Sequence, residues 1–470
     1  MDPCFADRLE PPSATQRKGV TALSDGYTRG ALSETTSKEA ILAVYQQKWL
    51  RIGGISVAAA VAVLFAASAS AGPVAGALHA ATQRSAARLG SQVRNAPASS
   101  SSVGKASAHS AAAQSPEAAV VATLSPAQLA GQRVIYGYSG LTPPSALLKL
   151  IRHGEVGGVI FFSSNFANTA QFTSAVATLV ANNSLVQNPA HDFPLLLMTD
   201  QEGGLVRRLP GAPVLSEKAI GSLPTPSQRA AAATAAGSGA GQNLLSFGLN
   251  MNLAPVLDVF RTPGNFIDQF QRSYSNNPIT VSRLGSLFIT AQQATGVAAT
   301  AKHFPGLGAA AAGQNTDLVP VTITLSKSTL QSVDEAPFAT AIAVGVKLVL
   351  VSWAKYPSLG SSRPAGLSTV IVQGQLRRRL GFTGVTITDA IGAGALRNNG
   401  TIQNRALLAA QAGMQVILSS SVTEGQAALA GLQTGLGNGS LSSSVFLATV
   451  TQILTLRSTL PDPTISFGRA

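Results

Sequence analysis

The feature that most restricts the fold is an alternation repeated between residues 126 and 460. Eight short apolar runs are separated by Ala-rich or amphipathic stretches. The runs are Val134 to Tyr136, Gly158 to Phe162, Leu195 to Thr199, Met251 to Ala254, Val297 to Lys302, Leu348 to Ser352, Val385 to Thr388 and Val416 to Leu418. Runs this short and apolar fit strands buried on both faces, as in a parallel sheet covered by helices. Between them, Thr169 to Ala181, Ser227 to Phe247, Thr280 to Thr295 and Asn404 to Ala412 read as helices. Eight strands separated by helices describe a single (β/α)8 barrel, a TIM-type α/β fold. An open doubly wound sheet shares this alternation, but no glycine-rich dinucleotide fingerprint follows the first run.

The chain before the barrel divides by composition. Residues 1–48 are polar and mixed in charge, and read as a disordered tail. From Ile52 to Leu78 no residue is charged, and Lys48 and Arg51 stand just ahead. A stretch of this length spans a bilayer as a helix, with the cations favouring a cytoplasmic N-terminus. Residues 49–78 are therefore expected to be a membrane anchor or, because Ala69-Ser70-Ala71 offers small residues for cleavage, a signal segment. Residues 79–125, rich in Ala and Ser, suit a flexible spacer, and the barrel domain is expected over 126–465. Either reading of 49–78 puts the barrel outside the cytoplasm, membrane-tethered or secreted.

The net charge of +13 raises the question of nucleic acid. The one dense basic run of the barrel region, Arg377-Arg378-Arg379, lacks interleaved aromatics and reads as a solvated helix end. No nucleic-acid partner is expected. Cys4 is the single cysteine, so no intrachain disulfide is possible. No His/Asp/Glu cluster has metal-ligand spacing, and neither metal nor cofactor is implied.

In a barrel of this kind the site lies at the C-terminal ends of the strands, and the unusual polar residues fall there. Ala301-Lys302-His303-Phe304-Pro305-Gly306-Leu307-Gly308 places a cation and an imidazole at the end of the fifth run, before a Pro-Gly break. Together they look like a ligand grip. Asp200-Gln201-Glu202-Gly203-Gly204-Leu205-Val206-Arg207-Arg208 follows the third run, Asp258 and Arg272-Ser273-Tyr274 follow the fourth, and Gly384 to Asp389 delivers one carboxylate at the end of the seventh.

These four motifs, in this order, resemble family 3 glycoside hydrolases of the β-N-acetylhexosaminidase branch. The resemblance implies that Asp389 is the nucleophile of a retaining hydrolysis and that Asp200, Arg208, Arg272, Lys302 and His303 bind substrate. Asp258 would orient its neighbours. A carboxylate is suited to gripping sugar hydroxyls, and a nearby cation such as Lys302 helps keep the nucleophile ionised. The substrate would be β-linked N-acetylhexosamine, as in cell-wall glycan.

One segment departs from the family pattern. Where a Lys-His-Phe-Pro-Gly-x-Gly run is followed in the family by Asp-Ser-His before a Pro, Gly308 to Pro320 contains no histidine. Three readings stand. Asp317 is itself the acid/base; the donor comes from elsewhere, with Glu202 a candidate; or the barrel binds wall glycan without turnover. A β-glucosidase is a further alternative, although this chain lacks the second sandwich domain common in that branch. Trp353 either stacks on a pyranose face or packs at the rim.

Overall fold

The structure is a computed structural model describing residues 115–462. The expected tail and the anchor or signal segment at 49–78 lie outside the described residues. Among the described residues, no helix is long and apolar enough to cross a membrane.

The eight apolar runs form eight parallel strands that close on themselves: β1 (Val134–Tyr136), β2 (Gly158–Ile160), β3 (Leu196–Thr199), β6 (Met251–Asn252), β7 (Ala298–Phe304), β8 (Leu348–Val351), β9 (Val385–Ala390) and β10 (Val416–Leu418). A small hairpin, β4 (Gln201–Gly203) and β5 (Val206–Arg207), stands outside the barrel after β3. Strand β1 pairs with both β2 and β10, which completes the (β/α)8 closure expected from the sequence.

The strands bury both faces, so the core has two layers. Inside the barrel, Ile135, Ile160, Met198, Met251, Leu348 and Ile387 pack together, joined by Ile453, Leu456 and Leu460. Those last three come from the helix Ser443–Ser458 and the residues after it, which plug the end where the strands begin. Each such side chain contributes about 1.5–3 kcal/mol on full burial. Outside, the helices cover the other strand face with a larger apolar cluster.

Helix starts follow local chemistry. Asn168, Thr225, Asn277 and Thr401 cap the helices Thr169–Asn183, Pro226–Ser246, Pro278–Gln293 and Ile402–Ala412 through their side-chain oxygens. Thr225 forms a reciprocal capping box with Gln228. One helix was not anticipated. Pro116–Thr123 lies within the stretch read as spacer, capped by Ser115, and buries Val121 against the core. An Ala-rich segment with one well-placed cap and a Pro at its first turn can dock as a helix once a partner surface exists.

Candidate active site

The site begins where β3 ends. After Thr199 the chain turns through Asp200 into the β4/β5 hairpin, whose tip is Gly203-Gly204 with φ of +113° and +57°. Only glycine adopts that pair of values without strain. The hairpin returns Arg208 beside Asp200, with the Arg208 amide donating to the Asp200 carbonyl at 3.3 Å.

Strand β7 supplies the next two groups by breaking its own register. Its pairing with β8 runs Ala301 to Val349 and then Phe304 to Val351, so three steps on β7 match two on β8. In a regular strand neighbouring side chains point to opposite faces; a bulge re-aims one of them. Lys302 and His303 consequently both line the same cleft. The Lys302–His303 and Phe304–Pro305 peptides are cis.

Lys302 is 2% exposed; its Nζ lies 2.6 Å from Asp200 Oδ1 and 2.7 Å from Glu202 Oε1. Arg272 grips Glu202 with both Nε and an Nη, each at 2.9 Å. Two cations therefore hold two carboxylates in a nearly dry setting, an arrangement that survives burial only when each charge has its partner. Burial works against the Lys302 ammonium, yet the Asp200 and Glu202 charges outweigh it and raise its pKa. Burial likewise pushes the Glu202 carboxyl up, but Arg272 and Lys302 win and hold it below the usual range. An ionised, fully engaged carboxylate cannot donate a proton, so the expectation of Glu202 as a candidate donor is corrected. Glu202 is instead the anchor that Lys302 and Arg272 share.

His303 is fixed from both sides. Its Nδ1 is 2.7 Å from Asp258 Oδ2, and its Nε2 is 3.3 Å from an Arg272 Nη. A carboxylate only accepts and a guanidinium only donates, so the proton sits on Nδ1 and Nε2 is the acceptor. Asp258 is fully buried and also accepts from the Leu307 amide at 2.6 Å, which ties the Pro-Gly turn to the imidazole.

The carboxylates expected to react face the same cleft. Asp389 stands at the end of β9, its Oδ1 accepting from the Ala390 amide at 2.7 Å. Asp317 arrives on the loop 308–320, where Asn315 Oδ1 accepts from the Asp317 amide at 2.8 Å. That loop docks on the segment following β9: Gly394 N donates to the Asp317 carbonyl at 2.7 Å and Ala395 N to Thr316 at 3.0 Å. A Cβ at Gly394 would stand 2.2 Å from the Leu318 carbonyl oxygen, so glycine there allows the approach. The cleft is lined by Asp200, Arg208, Arg272, Lys302, His303, Asp317 and Asp389 and opens to solvent. The seven residues expected to react or to bind substrate all meet in it.

Trp353 does not. It is buried, and its Nε1 donates to the Ala390 carbonyl at 2.9 Å, so its ring supports the end of β9 from behind. The sequence also gave no reason to single out Glu217. Its Oε1 accepts from the Val256 amide at 2.8 Å while Oε2 is buried without a hydrogen-bond partner. Burial, with the Glu202 charge second, pushes its pKa well above the ordinary value. Following the cap Ser216, it reads in sequence like any first-turn carboxylate. Among the described residues no group of three or more His, Cys, Asp or Glu could hold a metal ion.

Residues 127–456 match the model of the glycosyl hydrolase family 3 N-terminal domain. An uncharacterized secreted glycosyl hydrolase of Arthroderma benhamiae is 46% identical over 335 residues, covering 70% of this chain and 93% of its own. Beta-hexosaminidase A of Pseudoalteromonas piscicida is 30% identical over 402 residues, 77% of this chain and 65% of its own. The structure of a family 3 β-N-acetylglucosaminidase from Paenibacillus sp. str. FPU-7 superposes with a TM-score of 0.67 at 34% identity, over 72% of this chain and 62% of that one. A β-N-acetylhexosaminidase from Beutenbergia cavernae DSM 12333 gives a TM-score of 0.62 at 30% identity, over 71% and 97%. The chain thus spans less than two thirds of the Pseudoalteromonas and Paenibacillus proteins.

Proposed function

Because this chain belongs to glycosyl hydrolase family 3, we propose that it is an exo-acting, retaining hydrolase that removes terminal β-linked N-acetylhexosamine, of the kind carried by cell-wall glycan. The observation that carries the reading is the convergence of Asp389 and Asp317 on the cleft that also holds Asp200, Arg208 and Lys302. In the first step Asp389 attacks the anomeric carbon as the glycosidic C–O bond breaks, and Asp317 gives its proton to the leaving oxygen. In the second, Asp317 takes a proton from water, which displaces Asp389 and releases the sugar with its configuration retained. Asp200 and Arg208 grip hydroxyls at the non-reducing end. Lys302 holds Asp200 through its Nζ at 2.6 Å and presents a donor of its own.

The substrate class rests on the beta-hexosaminidase and β-N-acetylglucosaminidase relatives. Action outside the cytoplasm rests on the apolar stretch from Ile52 to Leu78 and on the secreted Arthroderma benhamiae relative. A second reading, a wall-glycan-binding barrel without turnover, is favoured by one observation: no histidine lies between Gly308 and Pro320. Release of 4-nitrophenol from its β-N-acetylglucosaminide separates the two. Turnover that Asp389→Asn lowers roughly a thousandfold or more, on the scale of removing a nucleophile, supports the hydrolase. Saturable binding of N-acetylglucosamine with no turnover supports the binding protein, and turnover unchanged in Asp389→Asn refutes the assigned nucleophile.

A further inference from the structure

A second polar cavity lies at the opposite end of the barrel. It opens to solvent between the helix Ile402–Ala412, the segment Val370–Arg379 and the helix Ser443–Ser458. Arg133 and Gln415 in its wall immediately precede β1 and β10, which sets it at the N-terminal ends of the strands. Asp389 stands near the far end of β9, four residues beyond Val385, which is roughly 13 Å along the strand at about 3.3 Å per residue.

Two guanidinium groups line this cavity and no carboxylate does. Arg133 is 3% exposed; its Nε donates to the Gln415 carbonyl at 3.0 Å and one Nη to the Met414 carbonyl at 2.8 Å, while its plane covers Phe446 at 4.3 Å. The other Nη has no protein acceptor among the described residues. Arg377 donates to the Phe382 and Gly384 carbonyls and to Gln415 Oε1. It belongs to the Arg377-Arg378-Arg379 run expected to be a solvated helix end; Arg378 is exposed, but Arg377 turns inward. Burial pushes Arg133 down to about 9 and Arg377 to about 10, with no anion to oppose it.

The fully buried Arg457 provides a contrast. Its Nε and both Nη groups are spent on the Pro194 and Phe193 carbonyls and Gln132. That is an arginine used as a structural clamp. Arg133 and Arg377 are likewise anchored by carbonyls, yet they retain donor capacity at a solvent-open cavity whose other polar side chains, Gln415, Gln452, Ser440 and Thr449 among them, are amides and hydroxyls, set beside an apolar wall that includes Val445 and Phe446. Carbonyls supply dipoles but no net negative charge, so the pair presents uncompensated positive charge to whatever enters.

We propose that this cavity at the base of the barrel is a binding site for a small oxyanion, the phosphate or carboxylate of a soluble metabolite, held between Arg133 and Arg377. The site is independent of the hydrolytic reading.

The full-length protein is titrated with inorganic phosphate and, separately, with acetate, against chloride at equal ionic strength, following melting temperature and heat of binding. Thr449→Glu puts a carboxylate in the cavity wall, and Thr449→Gln is its neutral control. Neither change removes an arginine anchor, so both variants keep the contacts that hold this end of the barrel. The expected result is saturable binding of at least one oxyanion by the unmodified protein and by Thr449→Gln, weakened at least tenfold in Thr449→Glu. Preference for phosphate or for acetate identifies the source chemistry. Absence of saturable binding of both, or binding unchanged in Thr449→Glu, overturns the proposal.

Discussion

Replacing Lys302 with Met keeps most of the apolar stem and removes the charge, which isolates the electrostatic role of this residue. Its ammonium is the shared partner of Asp200 at 2.6 Å and Glu202 at 2.7 Å, at 2% exposure. Stripping one partner from a buried ion cluster costs about 3–5 kcal/mol, because a desolvated charge is left behind. Here the lower end applies: Glu202 keeps its two-pronged contact with Arg272, and Asp200 is 14% exposed and regains some water. A loss of about 3 kcal/mol corresponds, at about 2.1 cal/mol/K of unfolding entropy per residue, to a fall in melting temperature of roughly 4 °C for the domain over residues 115–462. Glu202 also sets the pH response. Its folded pKa lies below its unfolded value of 4.5, so its stabilisation is complete above that value and is lost as pH falls through the depressed folded pKa. Lys302→Met should flatten this acid limb. Thermal unfolding of the single variants, Glu202→Gln and the double variant gives the coupling, expected at about 1–3 kcal/mol. A shift under about 2 °C for Lys302→Met, or strict additivity in the cycle, would refute the reasoning.

Three other perturbations follow from the geometry. Glu217 carries a raised pKa, so its cost to folding builds as pH rises above its unfolded value toward its folded one and persists beyond it; Glu217→Gln should raise the melting temperature at pH 7–8 and leave it nearly unchanged near pH 4, checked by calorimetry across pH. Gly394→Ala places a methyl against the Leu318 carbonyl and should push the loop bearing Asp317 off the segment after β9, lowering kcat on the 4-nitrophenyl substrate while Asp389→Asn still abolishes what remains. Asp317→Ala should cost roughly 10²–10⁴-fold with a poor leaving group and far less with an activated one, since only the former needs the proton; an equal loss on both would reject Asp317 as the acid.

The barrel was legible because parallel strands buried on both faces must be continuous apolar runs, and all eight such runs became barrel strands. Their ends were less so. The sequence reading stopped the fifth run at Lys302 whereas β7 continues to Phe304, and the bulge that turns Lys302 and His303 into one cleft depends on pairing with β8, which no local pattern encodes. Asp200 and Asp389 could be picked out because polar residues at strand ends have little packing reason to be there, whereas Arg272, a loop arginine, rested on the resemblance to the family. Glu202 could not be sorted from them by sequence: whether a carboxylate is a free acid or an ion-pair anchor depends on Arg272, seventy positions away along the chain. Trp353 illustrates the same limit, since a tryptophan at a strand end is equally suited to the cleft and to the shell behind it, and the Ala390 carbonyl decided the matter. Arg377 was misread because helix-end cations are usually solvated, while here the carbonyls after the helix turn it inward.

The central claim is that Asp389 forms a covalent glycosyl-enzyme, and the anomeric configuration of the first-formed sugar tests it most directly. Proton NMR during the first minutes of hydrolysis of 4-nitrophenyl β-N-acetylglucosaminide should show the β-anomer of N-acetylglucosamine appearing first, with the α-anomer growing in only as the sugar mutarotates. Initial release of the α-anomer would mean that water attacks the anomeric carbon directly, and would contradict the assignment of Asp389 as nucleophile.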